Sequence, residues 1–311
     1  MAQKETAKKS IWKTVIIILI IFFVVSWLVS SIISSFFKIE GPAGNVALIH
    51  VKGVITAEGI QSFNVKGAGS TEIISFIEKA DKSPSIKAIL LEINSPGGGA
   101  VASKEIADAV KRTNKTTYAL IREMGASGGY WIASAADYII ANEFSITGSI
   151  GVIASYIEFA GLLERYNMTY QRLVAGKYKD IGTPLKSLTI EEKEILQNKL
   201  DQIHESFVKE IAANRDMPVE KVKEIATGEF YLGSEALQLG LIDSLGDKET
   251  AKELIKQQLN LTKVEFAEYT KPKTLLETLA GVFSENFFLV GKGIGSALTE
   301  QKTTGRIEIL T

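Results

Sequence analysis

One glycine-rich turn and one lysine-rich segment carry the residues of this chain that could do covalent chemistry. The turn reads GASGG over residues 125–129. It matches the pattern G-x-S-x-G, in which a sharp turn exposes the hydroxyl of the serine, here Ser127. A serine nucleophile needs a base to accept its proton. The available bases are two histidines and the lysines of the segment AGKYKD, residues 175–180. The pattern therefore predicts nucleophilic catalysis by a serine.

The two histidines fit the role of base poorly. His50 lies in a predicted strand upstream of the serine, and His204 lies inside a long predicted helix at the edge of its apolar stripe. We interpret both as structural residues, so a lysine is the remaining base and a Ser-His-Asp triad is disfavoured. A lysine accepts a proton only when it is neutral, so its pKa must fall from about 10.4 toward 7–8. Spacing alone does not choose between Lys177 and Lys179.

Two further turns of small residues could assist the serine. NSPGGG, residues 94–99, follows a buried strand and precedes a helix. Its backbone N–H groups could form an oxyanion hole or hold a phosphate, or the glycines could make only a tight turn. The run lacks the Lys-Ser/Thr pair of a P-loop and the spacing of a dinucleotide fingerprint, which weakens the phosphate interpretation. TGSIG, residues 147–151, is the other turn, and its hydroxyls could be structural or could orient a neighbouring group.

Composition excludes several classes of protein. The 311 residues include no cysteine, only two histidines, and 35 basic against 36 acidic side chains. The missing cysteines rule out disulfides, a thiolate nucleophile and thiolate metal ligation, and two histidines leave little room for a metal cluster. A balanced charge argues against nucleic-acid binding. The sequence therefore predicts no metal, no cofactor and no nucleic-acid partner.

The elements that must position these turns alternate between strands and helices, which predicts an α/β layered domain. Apolar runs predict buried strands, and apolar residues at spacings of three and four predict helices. The predicted strands cover residues 45–51, 86–93, 117–121, 137–141, 151–155 and 170–174. The predicted helices cover residues 100–111, 127–136, 190–214, 218–228, 234–239 and 275–290.

An uncharged apolar run over residues 14–37 accounts for much of the positive mean hydropathy of +0.13. A helix of that length spans a hydrocarbon core of about 30 Å, and the run is longer than the apolar region of a cleaved signal peptide. Lysines precede it, so the positive-inside rule predicts a cytoplasmic N-terminus. The predicted organisation is a cytoplasmic basic segment 1–13, a transmembrane anchor 14–37, a linker 38–44, a catalytic domain 45–270, and a C-terminal helix and tail 271–311.

Five motifs, in order along residues 45–247, resemble those of the signal peptide peptidase family of the SppA type. They read NSPGGG, GASGGYW, TGSIGV, GKYKDIGTP and SEALQLGLID. Members of this family are membrane-anchored serine–lysine peptidases. The resemblance therefore implies the Clp-protease/crotonase-like fold, a layered βα superhelix, preceded by one N-terminal transmembrane helix.

The resemblance also assigns roles by motif. It implies that Ser127 is the nucleophile and that Lys179, which immediately precedes an aspartate, is the general base. It implies that Ser149 hydrogen-bonds the lysine amine, and that the N–H groups of Gly98 and Gly128 form the oxyanion hole. The segment REMG, residues 122–125, is more charged than the family's usual segment and shorter, which leaves the details of the substrate groove open.

As a whole, the resemblance implies a membrane-bound serine endopeptidase that degrades remnant signal peptides and other apolar peptides through an acyl-enzyme. It implies an extracytoplasmic catalytic domain, contact with lipid through the N-terminal helix, and a dome-like ring of several copies. Two alternatives stay open, namely a crotonase-fold acyl-CoA hydrolase, which needs no Ser-Lys pair, and a non-catalytic membrane scaffold. Hydrolysis of acyl-CoA would favour the first, and failure of a serine-reactive probe to label Ser127 would favour the second.

Overall fold

A computed structural model of the chain describes residues 16–28, 30, 43–59, 61–62 and 65–271. The chain divides into two compact units, Met1–Glu268 and Tyr269–Thr311. Only residues 269–271 of the second unit are described. The first unit therefore contains the site-bearing turns.

Residues 16–28 form a helix, α1, whose side chains are exposed. Among the described residues, no helix is both long and apolar enough to cross a membrane. The predicted anchor over residues 14–37 lies only partly within the described chain. The predicted helix 275–290 and the tail lie outside it, so both stay predictions.

The centre of the first unit is a sheet in which most neighbouring strands are parallel. The strands of the described chain are β1 Val46–Lys52, β2 Ile55–Thr56, β3 Gln61–Ser62, β4 Val65–Lys66, β5 Ala68–Gly69, β6 Ala88–Ser95, β7 Thr116–Ala126, β8 Tyr138–Ala141, β9 Ile146–Gly148, β10 Phe230–Leu232, β11 Ser244–Leu245 and β12 Phe266–Tyr269. Of these, β2 pairs with β5 and β3 pairs with β4 in two small separate sheets. The main sheet runs in the order β10-β9-β7-β6-β1-β12, with β8 beside β7 and β11 beside β8. Thus β6 and β7, which lead into NSPGGG and GASGG, are neighbours.

Helices cover both faces of this sheet. They are α2 Ser70–Lys82, α3 Ala100–Arg112, α4 Gly128–Ser134, α5 Ala160–Arg165, α6 Ile190–Asn214, α7 Val219–Ile225, α8 Gly233–Leu239 and α9 Lys248–Gln258. On one face, Leu48, Leu90 and Leu120 pack with Ala251 and Ile255 of α9. On the other face, α4 contacts β6, β7 and α3, and α2 contacts β1 and α3. Burial on both faces explains why β1 and β6 read as continuous apolar runs.

A bulge interrupts β7 shortly before Ser127. Ile93 of β6 pairs with Ile121, but Ser95 pairs with Gly125, so β7 has two residues more than β6 between these pairs. The side-chain oxygen of Asn94 accepts a hydrogen bond of 3.2 Å from the N–H of Met124 within the bulge. Bulges of this kind often re-aim side chains next to functional sites.

The predicted elements that lie in the sheet and its covering helices are confirmed, with shifts at their ends. The predicted strands over residues 151–155 and 170–174 are wrong, because neither segment joins a ladder and most of their residues are exposed. The edge beyond β9 is taken instead by β10, where Phe230 pairs with Gly148. The sequence predicts neither the helices α2, α5 and α9 nor the strands β2–β5 and β9–β12.

Candidate active site

Ser127 lies on a strained turn between the end of β7 and the start of α4. Its φ is 51° and its ψ is −120°, a conformation that a residue with a side chain rarely adopts. The N–H of Ser127 donates to the carbonyl of Gly148 at 2.8 Å, and its carbonyl accepts from Trp131 at 2.9 Å. These bonds hold the Ser127 turn, which follows β7, against strand β9 and the first turn of helix α4. The side chain stays partly exposed, as a nucleophile requires.

The NSPGGG turn lies directly against the nucleophile turn. A Cβ placed on Gly97, whose φ is +99°, would lie 2.7 Å from the nitrogen of Gly128 and 2.9 Å from the Cβ of Ser127. A Cβ placed on Gly128 would collide with the hydroxyl of Ser103 and lie 3.3 Å from the nitrogen of Gly98. Only residues without side chains permit this approach, so the two turns require glycine at these positions.

The N–H groups of Gly98 and Gly128 can both point toward the serine. Ile55 forms a parallel bridge with Gly98, in which its nitrogen donates to Gly97 at 2.9 Å and its carbonyl accepts from Gly99 at 2.8 Å. In this pattern the N–H of Gly98 itself points away from Ile55. Gly128 is the first residue of α4, a position whose N–H has no intrahelical partner. Both N–H groups thus lie on turns that adjoin Ser127, where an oxyanion hole would need its donors.

Buried polar side chains support both turns, and sequence reasoning did not single them out. Ser95 donates to the carbonyl of Gly53 at 2.6 Å and accepts from the N–H of Gly97 at 3.1 Å. Thr147 donates to the carbonyl of Gly125 at 2.8 Å. Ser95 belongs to the motif NSPGGG and Thr147 to the motif TGSIGV, so the motifs themselves contain both residues. The carbonyl groups that they bond, those of Gly53 and Gly125, are 42 and 22 residues away in sequence, which is why these contacts could not be inferred.

Lys179 lies on a segment that packs loosely. No residue between 151 and 189 is buried, and Lys179 itself is exposed in a turn where its N–H donates to Gly176 at 3.1 Å. Within the described part of the chain, its Nζ makes no hydrogen bond or ion pair. The structure thus brings Ser127, Gly98 and Gly128 together, but it does not bring the Lys179 amine into contact with Ser127.

Ser149 lies one residue beyond the carbonyl that anchors Ser127. Its φ is 50° and its N–H donates to the carbonyl of Glu229 at 2.8 Å. Its hydroxyl donates to the carbonyl of Gly228 at 3.3 Å, a long hydrogen bond. Ser149 therefore lies near the nucleophile turn, and its hydroxyl has no contact with Lys179 in this structure.

Lys177, the rival base, is held in its charged form. Its Nζ lies 2.6 and 2.9 Å from the two carboxylate oxygens of Glu191. The hydrogen bond to Glu191 raises the pKa of Lys177 above its ordinary value. An amine with a raised pKa stays protonated near neutral pH and cannot accept the proton of a serine.

The two histidines lie on β1 and α6, not on the turns around Ser127. The Nδ1 of His50 lies 3.1 Å from a carboxylate oxygen of Glu92, on the sheet face covered by α9. Burial, the largest cause, lowers the pKa of His50. His204 lies within α6 and is half-buried. Among the described residues, no group of three or more His, Cys, Asp or Glu could hold a metal ion.

Comparisons with known proteins agree with this geometry. Residues 109–262 match peptidase family S49, and residues 60–146 match the Clp protease family. The chain is 36% identical to a protein from Methanocaldococcus jannaschii that is named as a protease, over 76% of this chain and 77% of the relative. It is 34% identical to a protein from Enterococcus faecium named as a signal peptide peptidase SppA, over 74% of this chain and 68% of the relative. It is 37% identical to a protein from Synechocystis named as a protease, over 73% of this chain and 84% of the relative.

A serine on a strained strand-to-helix turn in a Clp-protease-like α/β fold, together with the match to peptidase family S49, identifies a serine peptidase. The chain belongs to peptidase family S49, the family of the SppA-type signal peptide peptidases. These relatives do not favour an acyl-CoA hydrolase or a non-catalytic scaffold.

Proposed function

We propose that this protein is a membrane-bound serine endopeptidase that degrades remnant signal peptides and other apolar peptides by a Ser127–Lys179 dyad. The observation that carries the proposal is the strained turn at Ser127, with φ 51°, beside the N–H groups of Gly98 and Gly128. The name of the Enterococcus faecium relative supports signal peptides as the substrate class.

The proposed reaction proceeds through an acyl-enzyme. Neutral Lys179 accepts the proton of Ser127 as the hydroxyl oxygen attacks a peptide carbonyl carbon, and the oxyanion binds the N–H groups of Gly98 and Gly128. Removal of one such donor costs about 3–4 kcal/mol of transition-state stabilisation. The C–N bond then breaks, and protonated Lys179 gives its proton to the leaving amine. Water, deprotonated by Lys179, hydrolyses the ester and restores Ser127, with no cofactor or metal in any step.

The choice of Lys179 as base is supported by the pairing of its neighbours. Lys177 is bound to Glu191 and stays charged. Lys179 Nζ makes no hydrogen bond or ion pair within the described chain, so its amine is available to reach the serine. In the proposed site Ser149 gives up its long bond to Gly228 and hydrogen-bonds the Lys179 amine.

A ring of several copies is supported by the exposed segment that carries the base. Residues 151–189 include no buried residue, and their exposed apolar side chains include Ile153, Ile157 and Leu173. Exposed apolar surface of this extent marks an interaction site in soluble domains. A neighbouring copy that covers the segment would complete an enclosure that one copy leaves open and would restrain Lys179 near a serine.

The proposed location is the cell membrane, with residues 14–37 as a single-pass anchor. The uncharged run and the lysines before it support a cytoplasmic segment 1–13 and an extracytoplasmic catalytic domain over residues 45–270. Residues 38–44 would be the linker, and residues 271–311 a C-terminal helix and tail. A substrate that remains in or near the bilayer after its cleavage is apolar, which suits an anchored peptidase.

Substitution of the two proposed catalytic residues tests the function directly. In the full-length protein, Ser127→Ala and Lys179→Ala are each expected to lower hydrolysis of a synthetic signal peptide at least about 1000-fold, because each removes a group that bonds to the reacting atoms. The matched control is Lys177→Ala, which removes a lysine of the same turn and is expected to retain most of the activity. A fully active Lys179→Ala variant would refute the dyad, and a fully active Ser127→Ala variant would refute the nucleophile.

A further inference from the structure

An arginine holds the carboxylate that follows the proposed base. Arg172 donates to both oxygens of Asp180, with Nε 2.6 Å from Oδ2 and a terminal nitrogen 2.8 Å from Oδ1. The same terminal nitrogen donates to the carbonyl of Lys177 at 3.0 Å. The Asp180 side chain is only 11% exposed. The hydrogen bonds from Arg172 lower the pKa of Asp180 to about 2, so the carboxylate is charged at neutral pH.

The other charges of this loop are paired as well. Lys186 lies 3.6 Å from Asp180 but only 2.6 Å from Glu192, so Glu192 is its closer partner. Besides Asp180, the titratable groups that act on Arg172 are Glu192 and the hydroxyl of Tyr170. Of the cations between residues 170 and 192 that the structure describes, those at 172, 177 and 186 each pair with a carboxylate. Lys179 is the exception within this stretch.

This pairing matters because a lysine base must lose its proton. A free carboxylate next to an amine favours the charged form of the amine and raises its pKa. Asp180 follows Lys179 directly in the chain, so without a partner of its own the carboxylate could reach the Lys179 ammonium. Arg172 occupies both oxygens in a bidentate arrangement, the strongest geometry for such a pair.

We propose that Arg172 is a positioning residue that holds Asp180 away from Lys179, so that the base stays free to become neutral and to reach Ser127. The inference rests on the proposed Ser127–Lys179 dyad. It assigns to Arg172 a role through Asp180 and not through contact with substrate. The proposed role is electrostatic. It therefore predicts a shift of the pH profile, which the loss of a purely structural contact would not cause.

The two roles differ in how the variants combine. If the pair only closes the loop, Arg172→Gln and Asp180→Asn remove the same bond and lower activity alike, and the double variant is no better. If Arg172 restrains a harmful carboxylate, Arg172→Gln alone is harmful. Asp180 then keeps only the more distant Lys186, which is already paired with Glu192, and can turn its charge toward the base. Removing that charge with Asp180→Asn then restores the base in the double variant.

The experiment is the pH profile of kcat/KM for the full-length protein in detergent, with a synthetic signal peptide as substrate. Wild type is expected to gain activity toward alkaline pH as Lys179 loses its proton. Arg172→Gln is expected to shift the midpoint of this rise upward by at least roughly 0.5 unit, which is about a threefold loss at neutral pH that recovers at high pH. Asp180→Asn and the double variant are expected to keep the wild-type midpoint.

Glu191→Gln is the matched control, because it breaks the neighbouring ion pair with Lys177. This change leaves a cation, not a carboxylate, without its partner. It is expected to cause no upward shift. If Arg172→Gln unfolds, Arg172→Lys keeps the charge while losing the bidentate bond, and a smaller upward shift is expected. A wild-type midpoint in Arg172→Gln, or a double variant as impaired as Arg172→Gln, would overturn the inference. Activity in Lys179→Ala would instead refute the dyad itself, so the two failures are distinguishable.

Discussion

The glycines around Ser127 are fixed by the groups that their missing side chains would meet. A Cβ on Gly98 would collide with the carbonyl of Ile55 and lie 2.6 Å from its nitrogen. A Cβ on Gly97 would press on the nitrogen of Gly128. These neighbours are backbone atoms of a paired strand and of a helix start, which cannot move without breaking hydrogen bonds. The spacing between Ser127 and the N–H groups of Gly98 and Gly128 is therefore set by residues that contribute no side chain.

Gly98→Ala tests this at the level of one residue. The added methyl group is expected to displace the 97–99 turn from Ile55 and to lower kcat at least about 100-fold, because one oxyanion donor moves out of place. The measurement is kcat with a signal-peptide substrate, together with thermal unfolding to establish that the variant is folded. Gly99→Ala is the matched control, since a Cβ there would make only ordinary contacts, the nearest at 3.8 Å to the carbonyl of Ile55. A folded Gly98→Ala variant with wild-type kcat would contradict the proposed oxyanion hole.

At the scale of elements, a buried carboxylate on β6 links the sheet to α9. The side chain of Glu92 is 7% exposed and lies 3.1 Å from His50 of β1 and 3.3 Å from Lys248 at the start of α9. Lys52 lies 3.4 Å from it and Arg122, in the β7 bulge, lies 3.8 Å from it. Burial alone would raise the pKa of Glu92, but Lys248, His50 and Lys52 outweigh it and lower the pKa below 4.5. The carboxylate is therefore charged and shared by four elements.

This cluster predicts that acid destabilises the fold. A carboxyl group with a lowered pKa stabilises the folded state above its unfolded value of about 4.5, and this contribution is lost as pH falls through the folded value. His50, whose pKa is lowered from 6.5 chiefly by burial, adds a loss of stability as pH falls below 6.5. We expect the free energy of unfolding of wild type to decline from pH 6.5 downward, as measured by urea titration.

Glu92→Gln is expected to flatten the part of that decline below about pH 4.5 and to cost roughly 2 kcal/mol at pH 7, because three cations lose their counterion. The matched control is Glu268→Gln, which removes an exposed carboxylate 3.8 Å from His50 and is expected to change stability little. An unchanged slope below pH 4.5 in Glu92→Gln would show that this carboxylate does not set the acid limit.

The elements that could be predicted from sequence are those with a repeating pattern of burial. The strands β1, β6 and β7 are apolar on both faces, and α3 and α6 carry apolar residues at spacings of three and four. Helix α9 was missed because only Ala251 and Ile255 of its residues are buried, which makes too weak a stripe. The apolar residues of 151–155 suggested a strand that does not form, since apolar character alone does not supply a neighbouring strand.

Some features of the candidate site could likewise be predicted from the sequence, and others could not. The motif GASGG was enough to predict an exposed serine on a turn, because the turn depends on local residues. The approach of Gly98 to Gly128 joins two separate turns, and it could be expected only from the family resemblance. The bond between Arg172 and Asp180 had no sequence signal, since an arginine and an aspartate eight residues apart in a loop have no fixed geometry.

At the scale of the whole molecule, the two proposed catalytic side chains belong to regions of very different packing. Ser127 adjoins a tightly packed helix start whose residues are buried, whereas Lys179 lies in residues 151–189, where none is buried. Leu173 in this segment is 97% exposed. Apolar side chains in this state gain stability when another surface covers them. The proposed ring would supply that surface.

Leu173→Asp tests the ring. The charge would have to be buried in the interface between copies, so the variant is expected to dissociate into smaller species and to lose most of its peptidase activity. Sedimentation velocity of the full-length protein in detergent measures the size. Phe144→Asp is the matched control, because Phe144 is 72% exposed but lies outside the segment, and it is expected to leave the assembly intact. A Leu173→Asp protein with unchanged size and activity would argue against this segment as the interface.

The bulge in β7 also limits how this enzyme can change by insertion and deletion. The strand has two residues more than β6 between its pairs with Ile93 and Ser95. Side chains alternate between faces with a period of two, so an even number leaves Gly125 and Ala126 facing as they would in a regular strand. Deleting one residue from 122–124 would turn Gly125 and Ala126 to the opposite faces of the sheet. The strained turn at Ser127 would then lie on the wrong side of the sheet. Length variation in this bulge is therefore expected in steps of two, which would leave the orientation of Ser127 unchanged.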